Sequence, residues 1–100
     1  MGCEIRQARI ACEHGQTTAC IRRAALHRRV SESWLRSVAW CESRLDPFAT
    51  NGQYAGLFQF GPVLWNALRY RRYSRFSAKW SSLAAAYAFS RGMSGQWACA

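Results

Sequence analysis

Five carboxylates, Glu4, Glu13, Glu32, Glu42 and Asp46, are the only side chains of this 100-residue sequence that could act as a carboxylic acid or base. Four have structural uses. Glu4 and Glu13 fall in a cysteine-bearing N-terminal segment, and Glu32 stands in the first turn of an expected helix, where negative charge favours the helix dipole. Asp46, before Pro47, suits an Asx turn. Glu42 differs. At 100° per residue it projects within about 20° of Leu35, on the stripe that also carries Val38 and Ala39, so the pattern turns it toward the core. A carboxyl on an apolar stripe either costs on the order of several kcal/mol or keeps its proton near neutrality, which a general acid requires. The alternative is a helix-terminal Glu whose side chain escapes into water.

Other chemistries find less support. The sequence has no phosphate-cradling glycine loop and no Ser-His-Asp set, and His14 and His27 carry no assignable role, so no cofactor is expected. Cys3, Cys12, Cys20, Cys41 and Cys99 are many for so short a chain and odd in number. They favour an oxidising compartment with up to two bridges and a leftover thiol, and two bridges among five cysteines allow fifteen pairings. The competing reading is a zinc site drawn from Cys3, Cys12, His14, Cys20 and His27, but the close cysteine pairs of zinc knuckles are missing. No metal is expected.

The elements that would position Glu42 can be read from spacing and breakers. Residues 1–16 read as a disulfide-tied lead-in arm and residues 17–100 as the folded domain. Thr17 or Thr18 can cap a first helix to about Arg29, with Ile21, Ala24, Ala25 and the Arg28 stem on one side. Ser31 or Ser33 starts a second helix, which ends near Arg44 because Pro47 forbids continuation. Asn51-Gly52 predicts a type I′ hairpin turn. Pro62 opens a third helix to about Arg69, and after a basic, Tyr-rich segment over residues 70–79 Ser81 or Ser82 begins a last helix to Ser90. Gly92 and Gly95 loosen the tail. The expected architecture is a mainly α, small helical domain with a short β-hairpin insert, stabilised by disulfides.

Half of the residues are hydrophobic and 19% are charged, which gives enough apolar surface for one compact domain and excludes a disordered chain. No stretch reaches the roughly 20 apolar residues of a membrane span. Residues 1–12 lack the apolar core of a secretory signal, so a soluble chain is expected. If it acts outside a cytoplasm, its signal has been removed or it leaves by another route, such as lysis or carriage in a virion. Fourteen cations, thirteen of them Arg, against five acids give a net charge of +9. That surface attracts polyanions such as nucleic acid, anionic lipid or acidic wall polymers, although a high-GC genome produces the same Arg bias.

The run Trp34-Leu35-Arg36-Ser37-Val38-Ala39-Trp40-Cys41-Glu42-Ser43-Arg44-Leu45-Asp46-Pro47, followed by Tyr54-Ala55-Gly56-Leu57-Phe58-Gln59-Phe60, resembles the core of lysozyme-like peptidoglycan-cleaving domains, the soluble lytic transglycosylases and resuscitation-promoting factors. Their pattern is a helix ending in Glu-Ser, a polar residue before Pro, then Gly-Leu-x-Gln. Leu83-Ala84-Ala85-Ala86-Tyr87 is similar to their late helix, with Ala88 where Asn is expected, and Trp97-Ala98-Cys99 to the closing Trp and Cys of resuscitation-promoting factors. The resemblance covers about residues 18–100 except the segment 70–79. It implies an α+β lysozyme-like fold, a Cys41–Cys99 bridge, and Glu42 as the acid that protonates the bond between N-acetylmuramic acid and N-acetylglucosamine. It further implies Tyr54, Gln59 and Tyr87 as groups that hydrogen-bond sugar.

Each of these has a plainer alternative: Tyr87 as a core aromatic, Gln59 as an outward residue of an exposed strand, and Gly56 as a place of close backbone approach. No second carboxylate suits the two-carboxylate glycosidase scheme. The implied reaction is therefore closure of the muramyl 6-hydroxyl on its own anomeric carbon, or hydrolysis by a positioned water. The implied partners are peptidoglycan strands and anionic wall polymers, and the implied protein is a monomer, either secreted to the wall or carried by a phage virion. Two other readings are a basic DNA-binding protein with a helix-turn-helix over residues 24–33, and a non-catalytic wall-binding or structural virion protein.

Overall fold

The computed structural model describes residues 2–100. Along the chain come α1 (Gly2–Glu13), α2 (Thr17–Arg28), α3 (Glu32–Ser43), β1 (Thr50–Asn51), β2 (Tyr54–Ala55), α4 (Pro62–Ala67), α5 (Ala78–Ser90) and a 3₁₀ turn at Ser94–Gln96. The protein is mainly helical, with one two-stranded antiparallel hairpin and two disulfides. No helix is long and apolar enough to cross a membrane among the described residues.

The centre of the fold is α5. Ser81 to Ala86, Ala88 and Phe89 are all buried, so this helix is covered on nearly every side. Its alanines let α2 come close, and Ile21, Ala24 and Ala25 of α2 join Leu35, Val38 and Ala39 of α3 in one core. The apolar stripe of α3 thus packs as its spacing predicts. Leu57, Phe58 and Phe60 fill the other side of that core from the segment after the hairpin.

Helix boundaries follow local chemistry. Ser31 Oγ accepts from the Trp34 amide at 3.1 Å, capping α3, and Asp46 Oδ1 accepts from the Phe48 amide at 2.9 Å, the Asx turn expected there. Pro62 stands at the start of α4, which ends at Ala67, two residues before the expected Arg69. Helix α5 begins three to four residues earlier than Ser81 or Ser82 would place it. Those serines lie inside the helix, and Ser77 is the cap, its Oγ accepting from the Trp80 amide at 3.2 Å.

Two expectations need correction. The stretch read as a lead-in arm is the helix α1, whose Ile5, Ala8 and Cys12 stand at helical spacing, with Ala8 and Cys12 buried. A Cys12–Cys20 disulfide fastens it to α2. The hairpin turn is also shifted by one residue: Asn51 pairs with Tyr54, leaving Gly52 and Gln53 as the loop. Only Gly52, at φ 62°, takes a positive angle there, so the turn is not type I′.

The second disulfide joins Cys41 to Cys99. Cys3 is a free, exposed thiol. With Cys12 and Cys20 bonded to each other, the zinc reading loses two of its thiolates.

Candidate functional site

Helix α3 ends in a sharp reversal, with Arg44 and Leu45 both left-handed at φ 57° and 63°. Non-glycine residues hold such angles only where the surroundings over-determine them. Two constraints act here. The Ser43 hydroxyl is buried within reach of two carbonyls, Ala39 O at 3.0 Å and Leu57 O at 2.7 Å, and the shorter contact ties the helix end to the segment after the hairpin. The Cys41–Cys99 bridge ties the same turn of α3 to the chain end. Glu42 stands between these two anchors.

The Glu42 side chain is half-buried and lines a groove of about 300 Å³ together with Asn51, Tyr54, Gln59, Gln96 and Trp97. It is therefore a wall residue rather than a core one, because the apolar stripe of α3 gives out at its last turn. A second hollow of about 410 Å³ shares Tyr54, Gln59, Gln96 and Trp97, and continues past Phe60 to Pro62, Val63 and Leu64 of α4. The two hollows adjoin along these four shared residues and are together called the trough. Glu42 is the single carboxylate among its lining residues, and its carboxyl enters no ion pair among the described residues.

Tyr54, on β2, is partly exposed and lays its ring against Gly61, where a Cβ would stand 3.0 Å from the ring. Gln59 has a left-handed backbone at φ 53°. Its amide nitrogen donates to Ala49 O at 3.1 Å and Gly56 O at 2.8 Å, so half of this side chain holds the loop together. The amide's oxygen is what remains for the trough. Gln59 is neither an outward strand residue nor a free sugar-binding amide.

Tyr87 lies elsewhere. Its ring is surrounded by the guanidiniums of Arg28, Arg69 and Arg91, and it does not line the trough that holds Glu42. The trough's lining does not bring Tyr87 together with Glu42, Tyr54 and Gln59, the groups the resemblance sets beside it. Tyr87 sits where α5 meets the C-terminal turn of α2, a face the late-helix motif does not specify.

Two residues that tie trough-lining segments together, Trp97 and Arg75, are given no such role by the sequence. Trp97 donates its indole N–H to Phe58 O at 2.8 Å and packs edge-on against Phe60 and Phe89. Arg75, from the basic segment without counterpart in the resemblance, donates to Gln53 O and Phe60 O, both at 2.8 Å, and so straps the hairpin to the core. Neither partner is near in sequence, and no local signal announces the contact.

The strap passes directly over Gly56, at φ 88°, where an added Cβ would collide with the backbone carbonyl oxygen of Arg75. Gly56→Ala should therefore cost about 3 kcal/mol or more, from left-handed strain plus overpacking against backbone. Gly52→Ala meets no neighbour within 4 Å and should cost only the left-handed strain, about 1–2 kcal/mol. Thermal melts of the two variants check this, and equal losses would contradict it.

Comparison with known family models, curated proteins and solved structures gave no match.

Proposed function

We propose that this protein cleaves peptidoglycan glycan strands at the β-1,4 bond between N-acetylmuramic acid and N-acetylglucosamine, with Glu42 as general acid and then base. The observation that carries this reading is a carboxylate without an ion pair among the described residues, the single one lining two adjoining hollows whose walls also carry Tyr54 and Gln59. An extended polymer fits a trough better than an enclosed pocket does. The Glu-Ser and Gly-Leu-x-Gln resemblance supplies the substrate class.

Chemistry with one carboxylate restricts the mechanism. Glu32 begins α3, ten residues and roughly 15 Å of helical rise from Glu42, and its carboxylate pairs with Arg36 at 2.7 Å. Asp46 is engaged by the Phe48 amide. No second carboxylate is among the trough's lining residues, so in this reading the substrate supplies its own nucleophile. Glu42 gives its proton to the glycosidic oxygen as the C1–O bond breaks, releasing the 4-hydroxyl of N-acetylglucosamine. The muramyl 6-hydroxyl oxygen then bonds to C1 of its own ring and returns its proton to Glu42. The products are a 1,6-anhydromuramyl end and a regenerated acid, with no water consumed.

The reaction belongs outside a cytoplasm, in a cell wall or at a virion entering one, and the two disulfides suit an oxidising setting. Mass spectrometry of purified peptidoglycan after digestion tests the proposal. Anhydro-ended fragments are expected. Fragments heavier by one water would replace the internal nucleophile with a positioned water, and no released fragments at all would overturn the assignment in favour of a non-catalytic wall binder.

A further inference from the structure

Three guanidiniums from three segments converge on one ring: Arg28 of α2, Arg69 beyond the end of α4, and Arg91 at the end of α5. They stand 4.9, 5.9 and 5.4 Å from the centroid of Tyr87. The ring's quadrupole attracts each cation but neutralises none. No carboxylate does so either, since the two ion pairs of the described residues join Arg22 to Glu4 and Arg36 to Glu32. Arg28 gives one Nη2 bond, 3.2 Å, to the Tyr70 hydroxyl, while its buried Nε and the buried Nη1 of Arg23 find no acceptor.

Helix C-termini attract cations, which accounts for Arg28 and Arg91 individually. It does not account for Arg69, nor for guanidinium nitrogens turned inward without acceptors. The same charges act on neighbouring His27, whose pKa is pushed below its ordinary value first by partial burial and then by Arg28, Arg23 and Arg69.

We propose that Arg28, Arg69 and Arg91 form a phosphate-binding site beside Tyr87, separate from the Glu42 trough. Guanidinium forks match the oxygens of a phosphate bidentately, and Arg69 and Arg91 are both exposed, so their forks are open to an anion from solvent. The ligand is a phosphate group, either free or carried within a polyol-phosphate polymer of the wall, and the site would hold the protein on its substrate surface without taking part in catalysis. The phosphate site stands on this cluster alone and survives if the trough has another use, whereas its role in holding the protein on the wall rests on the proposed function.

The test is a titration of the ¹⁵N- and ¹³C-labelled protein at constant ionic strength, followed at the Arg Nε–H, Tyr87 ring and His27 ring signals. Inorganic phosphate is one probe and poly(glycerol phosphate) the other. Saturable shifts confined to these signals are expected, with the His27 pKa rising as the anion screens its neighbours. Equal site affinity for the two probes assigns a free anion, and tighter polymer binding assigns a polymer-borne group. Arg69→Ala/Arg91→Ala should weaken binding about tenfold or more, whereas Arg6→Ala/Arg9→Ala, which removes the same charge from α1, should leave it within twofold. Linear, unsaturated shifts, or equal weakening by the two double variants with either these probes or duplex DNA, would overturn the site and leave only a diffuse basic surface.

Discussion

Replacing Glu42 with Gln should lower glycan cleavage by about 10²–10⁴-fold, the range expected for loss of a general acid, equivalent to roughly 3–5 kcal/mol of transition-state stabilisation. The amide has nearly the shape of the carboxyl but cannot donate the proton the leaving oxygen needs, nor take one back. The native carboxyl enters no ion pair among the described residues. The substitution should therefore leave the melting temperature almost unchanged and preserve binding to peptidoglycan. That combination, retained fold and affinity with lost turnover, separates an acid catalyst from a structural residue. Cleavage assays run beside calorimetry on both proteins check it, and undiminished turnover would remove Glu42 from the chemistry.

The second large effect concerns the Cys41–Cys99 bridge. It closes a loop with a sequence separation of 58, for which chain entropy gives about 4 kcal/mol. That is a large share of the roughly 5–15 kcal/mol by which a domain of this size is stable. In melting temperature the loss corresponds to about 15–30 °C. The Cys12–Cys20 bridge spans only 8 positions and should contribute nearer 2.5 kcal/mol. Its sulfurs belong to buried residues, whereas Cys41 is exposed, so mild reductant should open the Cys41–Cys99 bridge first. Because that bridge anchors both the Glu42 turn and the segment carrying Trp97, activity should fall before the helices melt. Thermal scans of Cys41→Ser/Cys99→Ser beside the reduced protein measure the effect. An unchanged melting temperature after verified opening would contradict it.

Much of the scaffold around Glu42 is local, and for that reason it could be read from residue order. Ser31 caps α3, Asp46 makes its turn, and Pro62 starts α4 through interactions within four residues. The stripe of Leu35, Val38 and Ala39 needs only the helical period to find the core. Helix α1 is not legible in the same way, because its apolar stripe is narrow and charged residues punctuate it; the helix is held by packing and by a disulfide whose partner lies in α2. The start of α5 departs from its serine signal because serines usually mark helix ends, whereas Ser81 and Ser82 are fully buried within one.

The candidate site divides along the same line. Glu42, Tyr54 and Gln59 do share one trough, but the second job of Gln59, holding Ala49 and Gly56, depends on a backbone angle that no composition rule reveals. Arg75 and Trp97 act across 15 to 39 positions of sequence. Tyr87 is illegible for a related reason: an aromatic on an alanine-rich helix has several faces to choose from, and the three arginines that gather round it come from distant segments.

The most direct measurement is a crystal structure of the Glu42→Gln protein with a tetrasaccharide of alternating N-acetylmuramic acid and N-acetylglucosamine. The account predicts sugar rings along the trough between Tyr54 and Trp97, with one muramyl glycosidic oxygen within hydrogen-bonding distance of the residue 42 amide. A tetrasaccharide bound on another face, or lying in the trough with every glycosidic oxygen beyond reach of residue 42, would contradict it.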